Sequence, residues 1–386
     1  MTAPASAAES AAASASEPAS RAARILSRPV SLNGLTVPNR IVMAPMTRQF
    51  SPGGVPGEDV VSYYARRAAA GIGLIVTEGT YVGHESAGQS DRIPRFHGAE
   101  QLAGWAKVAE AVHAAGGRIV PQLWHIGMVR SAGQPPFTDA PAVGPSGLRL
   151  DGTGGQGKEM IQADLDDVIA AFAEAAAAAE RIGFDGVELH GAHGYLIDQF
   201  LWSGTNRRTD AYGGDLVART KFAAEIVAAV RASVSPSFPV IFRYSQWKQE
   251  VYRARLAESP EELEALLTPL ASAGVDAFHA STRRYWLPEF DGSDLNLAGW
   301  TKKLTGKPAI TVGSVGLDGD FLKGFQGEGA PVKGIDDLLD RLESEEFELI
   351  AVGRALLQDP EWAAKVLGGR FGELGAFDPA ALGSLS

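Results

Sequence analysis

The chain has 386 residues, a formal net charge of −11 and no cysteine. The absence of cysteine excludes disulfides, thiolate zinc sites, cysteine nucleophiles and cysteine-held iron–sulfur clusters. The acidic balance argues against nucleic acid and anionic membrane as partners, and no apolar run approaches the ~18 residues that a membrane helix needs. This composition is that of an ordinary globular protein, for which the cytoplasm is the expected location.

The first 24 residues are rich in alanine, serine and proline. They include Glu9 and Glu17 and lack the apolar core of a secretory signal. Because such a composition cannot bury enough apolar surface to fold, we expect residues 1–24 to be a disordered tail. Residues 25–370 are expected to form a single domain, followed by a C-terminal tail at residues 371–386.

From residue 41 onward, the sequence repeats a short apolar run, a loop and an amphipathic or alanine-rich helix. Eight such pairs predict an α/β protein with the (β/α)8 TIM-barrel fold. An open doubly wound sheet usually has a glycine-rich fingerprint after its first strand, and Ala44-Pro-Met-Thr-Arg48 is not one. The predicted strands are Ile41–Pro45, Leu74–Thr77, Ile119–Leu123, Gly186–His190, Val240–Tyr244, Ala277–Ala280, Ala309–Val312 and Ile350–Val352. The predicted helices are Glu58–Ala70, Ala99–Ala115, Ala163–Ile182, Asp215–Ser233, Pro260–Ala273, Leu297–Lys303, Ile335–Glu343 and Pro360–Leu367.

The fourth predicted strand and the turn after it contain the densest group of candidate functional residues. Residues 187–190 alternate apolar and polar side chains as in a strand, and Gly191 is predicted to end it. His190, His193 and Tyr195 can then converge at the carboxyl end of the strand, where α/β barrels place catalytic groups. We favour a catalytic set over a structural turn, and a metal-binding histidine pair stays open.

Other predicted strands also end in residues suited to a ligand. Thr47 follows strand one, and Gly79 after strand two either admits a flat ligand or makes a turn. Gln122 ends strand three, and its amide needs hydrogen-bond partners, which favours ligand contact. Arg243 ends strand five, where a buried charge needs an anion, either a carboxylate such as Glu188 or a charge on a ligand.

The ends of strands seven and eight predict a phosphate site. Gly313 and Ser314 follow strand seven, and Gly353 and Arg354 follow strand eight. Glycine turns expose backbone N–H groups, a helix N-terminus adds its dipole, and arginine offers a charged fork. A phosphorylated planar ligand such as FMN suits a barrel mouth with these groups.

The sequence resembles the Old Yellow Enzyme family of FMN-dependent ene-reductases from about Leu32 to Leu367. Seven motifs occur in the order of that family, which makes the resemblance highly specific. They are Asn39–Arg48, Thr77–Gly79, Gln122–His125, Gly183–Leu196, Asn206–Gly214, Val312–Val315 and Val352–Leu356.

The resemblance implies an oxidoreductase that holds FMN, uses NAD(P)H as reductant and reduces the C=C bond of α,β-unsaturated carbonyl or nitro compounds. His190 and His193 would bind the carbonyl or nitro oxygen, and Tyr195 would protonate the α-carbon after hydride transfer from flavin N5. The cofactor contacts implied are Pro45, Met46 and Thr47 beside the flavin, Gly79 and Gln122 at its ring, Arg243 at its N1/O2 edge, and Gly313, Ser314, Gly353 and Arg354 at its phosphate.

One motif departs from many relatives, in which Ser-Pro follows soon after the strand-five arginine. Here Ser245-Gln-Trp-Lys248 follows instead. Two interpretations stay open for the aromatic, arginine-rich stretch Ser281–Trp286: a lid, or aromatic residues that only cover the mouth of the barrel. Two other functions stay open: a metal-dependent TIM-barrel hydrolase using His190 and His193, and a catalytically idle FMN-binding protein. We expect no metal in the FMN-dependent ene-reductase, and a homo-oligomer stays open.

Overall fold

A computed structural model describes residues 20–154, 157–319, 323–324 and 326–386. Eight parallel strands close into a barrel, which confirms the predicted (β/α)8 fold, and each of the eight contains most of a predicted strand. The strands in chain order are β1 (Val30–Leu32), β2 (Leu35–Val37), β3 (Ile41–Met43), β4 (Leu74–Tyr81), β5 (Arg118–Trp124), β6 (Ala142–Gly144), β7 (Gly157–Glu159), β8 (Val187–His193), β9 (Val240–Lys248), β10 (Ala277–Ser281), β11 (Ala309–Val312) and β12 (Leu349–Val352). The barrel runs in the order β3, β4, β5, β8, β9, β10, β11 and β12, after which β12 pairs with β3.

The helices alternate with the barrel strands as expected. Those described are α1 (Arg21–Leu26), α2 (Glu58–Ala69), α3 (Ala99–Ala114), α4 (Gln162–Arg181), α5 (Leu196–Leu201), α6 (Leu216–Arg219), α7 (Lys221–Ser233), α8 (Pro260–Ala273), α9 (Leu297–Thr305), α10 (Asp336–Glu343), α11 (Arg354–Gln358) and α12 (Trp362–Leu367). The helix predicted over residues 215–233 is divided at Thr220, whose hydroxyl donates to the carbonyl of Val217 at 2.6 Å. Within the described residues, no helix has both the length and the apolar character needed to cross a membrane.

A hairpin that the sequence patterns did not predict closes the amino-terminal end of the barrel. Strands β1 and β2 pair antiparallel, and Leu32 and Val37 are fully buried. They belong to one apolar cluster with residues of the barrel strands such as Val42, Leu74 and Ile310. The hairpin covers the end of the barrel opposite the candidate site. Its buried apolar side chains stabilise the fold, because apolar burial contributes about 25 cal/mol per Å².

The predicted boundary of the N-terminal tail is wrong for residues 20–24. Ser20 caps α1 by accepting a hydrogen bond from the Ala23 N–H, and Ala22 and Ile25 are buried against the barrel domain. Packing against the barrel domain therefore stabilises a short helix that would be marginal in isolation. The prediction for residues 1–19 lies outside the described part of the chain.

The segment predicted as a C-terminal tail also packs against the barrel. Phe377 is 2% exposed and exchanges two backbone hydrogen bonds with Ala330. The Arg48 guanidinium donates to the carbonyls of Ala381 and Leu382, at 3.2 and 3.3 Å. Residues 371–386 thus continue the domain instead of leaving it, and backbone carbonyls explain why their sequence gave little sign of this contact.

Candidate active site

One cavity opens at the carboxyl ends of the barrel strands, where the candidate residues were expected to meet. Both ends of the predicted ligand site line this single cavity. The predicted residues that it contains are Pro45, Met46, Thr47, Gln122, His190, His193, Tyr195, Arg243, Gly313, Ser314, Gly353 and Arg354.

Gly79 is the one predicted site residue that is not among the residues lining this cavity. It lies within β4, and a Cβ atom at this position would be only 2.5 Å from Cε3 of Trp124. Its missing side chain therefore has a packing reason, which is to admit the Trp124 ring. Contact between Gly79 and a flavin ring stays a prediction.

Strand β8 is longer than predicted and continues through Gly191 to His193. A Cβ at residue 191 would lie 2.4 Å from Cζ of Phe242, so glycine is needed for close packing against β9. The pairing with β9 shifts register between Gly191 and His193, and His193 has a left-handed φ of 66°. Such a conformation is costly for a residue with a Cβ, and the Ser245 hydroxyl helps to hold it by accepting from the His193 N–H at 3.0 Å.

The bulge brings three candidate side chains, His190, His193 and Tyr195, together on the cavity wall. The His190 ring centroid lies 5.1 Å from that of His193 and 4.9 Å from that of Tyr195. His190 Nδ1 accepts from the Ala192 N–H at 3.4 Å, which assigns the ring proton to Nε2. His193 Nε2 lies 2.8 Å from the Ser281 hydroxyl. Arg243 donates to the same hydroxyl oxygen at 3.4 Å.

Both histidines are neutral in the folded protein. Burial lowers the pKa of His190 and of His193 well below the usual value, and the nearby Arg243 guanidinium lowers both further. A neutral imidazole keeps one N–H donor and carries no charge of its own. The pair can therefore donate hydrogen bonds to an oxygen on which negative charge develops.

Tyr195 is held as a protonated phenol. Burial raises its pKa to about 12, although a hydrogen bond from Gln249 opposes the shift. Gln249 Nε2 donates to the Tyr195 hydroxyl oxygen at 2.8 Å. Because this oxygen accepts from Gln249, the phenolic hydrogen remains available to another acceptor in the cavity.

A buried polar layer lies within the barrel beneath these residues. Glu188 accepts from Gln122 Nε2 at 2.8 Å and from His279 Nδ1 at 2.7 Å. Although burial alone raises the pKa of Glu188, His279 and Arg243 hold it below its usual value. Arg243 donates to Ser281 at 3.4 Å, and its buried Nε has no hydrogen-bond partner among the described residues. Glu188 therefore stabilises the charge of Arg243, as one of the two predicted alternatives, and contact of Arg243 with a ligand stays a prediction.

The predicted phosphate region has less free side-chain chemistry than its sequence suggested. The Ser314 hydroxyl lies 3.1 Å from the carbonyl oxygen of Arg283 and 2.9 Å from that of Gly319. One hydroxyl hydrogen serves these acceptors, so Ser314 would meet an anion through its backbone N–H. Arg354 Nη2 donates to the Gly319 carbonyl at 2.7 Å, and its guanidinium lies 5.5 Å from the centroid of Phe377.

The loop after β3 is held in place by a buried acid. Glu78 Oε2 accepts from the backbone N–H groups of Arg48 and Gln49, at 2.8 and 3.3 Å. Burial raises the pKa of Glu78 to about 7, and these two N–H groups limit the shift. Glu78 thereby fixes the backbone next to Thr47, which lines the cavity.

Several residues of the site were not predicted from the sequence. His279 is a single histidine within an apolar run. The signal that could have revealed it is the period of two along β10, which places its side chain on the same face as that of Ala277. Gln249 follows β9 and has no distinctive pattern. Phe377 and Leu382 line the cavity from the segment predicted to be a tail, where no periodic pattern could reveal them.

The residues present fit FMN. Arg243 offers a buried, unpaired N–H at one end of the cavity, which suits the electron-rich edge of a flavin. At the other end, a Cβ at Gly353 would have only Met46 Sδ at 3.6 Å and Ala44 Cβ at 4.0 Å near it, so the backbone there is open to a ligand. Arg354 adds positive charge to that end.

A family model described as the NADH:flavin oxidoreductase / NADH oxidase family matches residues 26–328. The chain belongs to this family. Its membership confirms the resemblance to the Old Yellow Enzyme family, and it confirms FMN as the cofactor.

Curated relatives and solved structures agree with this assignment. An NADH oxidase of Thermoanaerobacter brockii is 33% identical over 89% of this chain and 50% of that protein. The 12-oxophytodienoate reductase 7 of Oryza sativa subsp. japonica is 40% identical over 51% of this chain and 52% of that protein. Morphinone reductase superimposes with a TM-score of 0.76 at 29% identity, covering 92% of each chain. A structure of morphinone reductase in complex with tetrahydroNAD gives a TM-score of 0.77 at 28% identity, covering 92% of this chain and 93% of that one. This chain thus spans about half the length of these two curated relatives.

The histidine pair does not extend into a metal site. Within the ranges that the structure describes, no group of three or more histidine, aspartate or glutamate side chains could hold a metal ion. His193 Nε2 is engaged by Ser281, and His190 Nδ1 by a backbone N–H. A metal-dependent hydrolase is therefore not favoured.

Proposed function

We propose that this protein is an FMN-dependent ene-reductase that uses NAD(P)H to reduce activated alkenes. The observation that supports the proposal is the placement of His190, His193 and Tyr195 on one wall of the cavity that also contains Arg243 and Arg354. The substrates would be α,β-unsaturated carbonyl or nitro compounds. FMN, when bound, accepts a hydride from the nicotinamide and transfers one to the β-carbon of the alkene.

The two histidines would bind the carbonyl or nitro oxygen of the alkene. Hydride addition to the β-carbon moves negative charge onto this oxygen, and the two neutral N–H donors stabilise the charge as it forms. Donors that are already positioned by Ser281 and the Ala192 backbone need not reorganise during the reaction. These hydrogen bonds are stronger to the negatively charged oxygen of the transition state than to the neutral oxygen of the bound substrate, and this difference in strength accelerates the step.

Tyr195 would supply the proton that completes the reduction. Its pKa of about 12 keeps the phenol protonated at neutral pH, and Gln249 leaves its hydrogen free to move to the α-carbon. Because burial raises this pKa and disfavours the phenolate, we expect Tyr195 to regain a proton from solvent after each turnover. Gln249 is a positioning residue in this scheme.

Replacement of Tyr195 by phenylalanine tests the proposal, because it removes the proton and keeps the ring. We expect reduction of cyclohexenone to slow by about a hundredfold or more, the usual contribution of a general acid. Reduction of the flavin by NAD(P)H needs no proton from Tyr195 and should remain near wild type. Stopped-flow measurement of both half-reactions separates these effects.

Three results would count against the proposal. Equal loss in both half-reactions for Tyr195→Phe would indicate a structural tyrosine. A wild-type protein that binds FMN and accepts electrons from NAD(P)H but reduces neither cyclohexenone nor a nitroalkene would be an idle flavoprotein. A purified protein that remains colourless after reconstitution with FMN would refute both the ene-reductase and the idle flavoprotein.

Reduction of nitroalkenes by Tyr195→Phe should slow less than reduction of enones, because a nitronate is stable enough to be protonated in solution.

A further inference from the structure

A second cavity adjoins the active-site cavity on the far side of Trp247. It is formed by the loops after β9 and β10, and Trp247 and Arg283 line both cavities. The second cavity is rich in arginine, and we refer to it as the arginine vestibule. Its arginines are Arg253, Arg255, Arg283 and Arg284.

The vestibule has an excess of positive charge in a chain whose net charge is −11. Arg255 is paired with Glu258 and Glu289, and Glu289 is the acidic residue among those lining the vestibule. In contrast, Arg253 and Arg284 make no side-chain hydrogen bond or ion pair with the residues that the structure describes. Two arginines without such a partner, both lining one cavity, favour the binding of an anion.

An aromatic wall connects the vestibule to the histidine pair. The Trp247 ring lies 4.6 Å from the His193 ring, and the Tyr252 ring stacks on Trp247 at 6.0 Å and 28°. The Arg283 guanidinium lies 4.4 Å from the centroid of Tyr252. The Trp247 indole is fixed because its Nε1 donates to the Ser281 carbonyl at 3.1 Å. A ligand that runs along these ring faces would have its two ends at the histidines and at the arginines.

We propose that the arginine vestibule binds a carboxylate or phosphate group on a ligand whose reacting end lies at His190 and His193. The inference rests on the proposed function, since it takes the histidine pair as the reacting end. It also gives a role to the departure of residues 245–248 from the family pattern, because Trp247 forms the shared wall. The anionic group belongs either to the alkene substrate or to the nicotinamide nucleotide.

Binding of phenols to the oxidised holoenzyme tests the vestibule without turnover. Phenol is a neutral probe for the histidine pair, and 4-(4-hydroxyphenyl)butanoate carries a carboxylate on a flexible chain. We expect the wild type to bind the butanoate more tightly than phenol, as followed by the flavin spectrum, with an advantage that shrinks as salt is added. In the double variant Arg253→Gln/Arg284→Gln, the butanoate should bind about tenfold more weakly, with phenol affinity unchanged.

The control is Arg66→Gln, at an exposed position on α2, and it is compared with the single variants Arg253→Gln and Arg284→Gln because each of the three removes one positive charge. It should leave the affinity for both phenols unchanged. This result would show that butanoate binding depends on contact with the vestibule arginines and not on the net charge of the chain. Equal weakening of butanoate binding in Arg66→Gln and in the vestibule variants would overturn the inference.

Kinetics with the double variant identify the source of the anion. A rise in the KM for NADPH or NADH in flavin reduction, with carboxylate-bearing enones unaffected, supports the nucleotide as the source. A rise confined to a carboxylate-bearing cyclohexenone supports the substrate. Unchanged behaviour with the butanoate, both nucleotides and the carboxylate enone would overturn the inference. Failure of the proposed function is a different result, namely no turnover of neutral cyclohexenone by the wild type.

Discussion

Two layers of the barrel interior differ sharply although the same strands build them. The lower layer is apolar and belongs to the cluster closed by the β1–β2 hairpin, whereas the upper layer is polar and faces the cavity or Glu188. On three strands the layers are two residues apart, as the pairs Val120 and Gln122, Ile241 and Arg243, and Ala277 and His279 show.

The boundary between the two layers is the level at which apolar side chains no longer fill the barrel interior and the cavity begins. Side chains two residues apart on a strand point to the same side, so each pair lies inside the barrel. A buried polar side chain needs a partner, and the upper layer finds partners in Glu188 and Ser281. We expect bound FMN to be a further partner. The lower layer needs none. We therefore expect substitutions in the lower layer to affect stability and those in the upper layer to affect cofactor binding and chemistry.

The largest effect is expected in the lower layer, from Ile241→Ala. Ile241 is fully buried, and loss of its side chain should lower the free energy of unfolding by about 2–5 kcal/mol. The rate per bound flavin should not change. Chemical denaturation and single-turnover kinetics measure the two quantities. Arg243→Met, two residues later on β9, is the matched variant and should instead lose FMN; a normal flavin content there would break the distinction between the layers.

His190→Ala should lower the rate of alkene reduction, because His190 lies on the cavity wall above the polar layer. Removal of one donor to developing charge typically costs about 2.7–4 kcal/mol, so alkene reduction should slow by roughly a hundredfold or more. Binding of phenol should weaken in parallel, and reduction of the flavin by the nucleotide should be less affected. Rapid-reaction measurements of each half-reaction decide the matter. A variant that reduces alkenes at the wild-type rate would remove His190 from the proposed site.

Arg354→Ala should weaken FMN retention with little effect on folding. A hydrogen bond to a charged group contributes about 1.5–3 kcal/mol, which corresponds to roughly ten- to a hundredfold in affinity. Equilibrium dialysis of FMN and thermal unfolding of the apoprotein would measure the two effects. If the apoprotein unfolds much more readily than wild type, the contacts of Arg354 with Gly319 and Phe377 are its main role.

The smallest expected effect concerns pH. Burial lowers the pKa of both histidines, so they stay neutral as the pH rises, and the pKa of Tyr195 near 12 keeps its proton in place. No group of this set should titrate between about pH 7 and pH 9, where an ordinary histidine is already neutral and an ordinary tyrosine still protonated. The rate of alkene reduction by the reduced enzyme should therefore be nearly constant from about pH 8 to pH 9, which lies above the pKa of about 7 that burial gives Glu78. A steep change in single-turnover experiments would contradict these assignments.

The barrel and most of its site residues were predictable because their signals are local and periodic. Short apolar runs placed all eight barrel strands, and polar residues at strand ends marked His190, Gln122 and Arg243. The bulge at His193 was not predicted, because it depends on contact between Gly191 and Phe242 of another strand. The vestibule, the β1–β2 hairpin and the position of Phe377 likewise depend on partners that are distant in sequence.

The contribution of residues 377–382 to the cavity has a consequence for the order in which the protein matures. Phe377 and Leu382 follow every barrel strand in the chain, yet both line the cofactor cavity. During synthesis on the ribosome, the barrel strands emerge before this wall exists, so tight capture of FMN is expected only after these residues have reached Arg48 and Ala330. FMN binding would then occur only in chains whose residues 377–382 have already packed against the barrel.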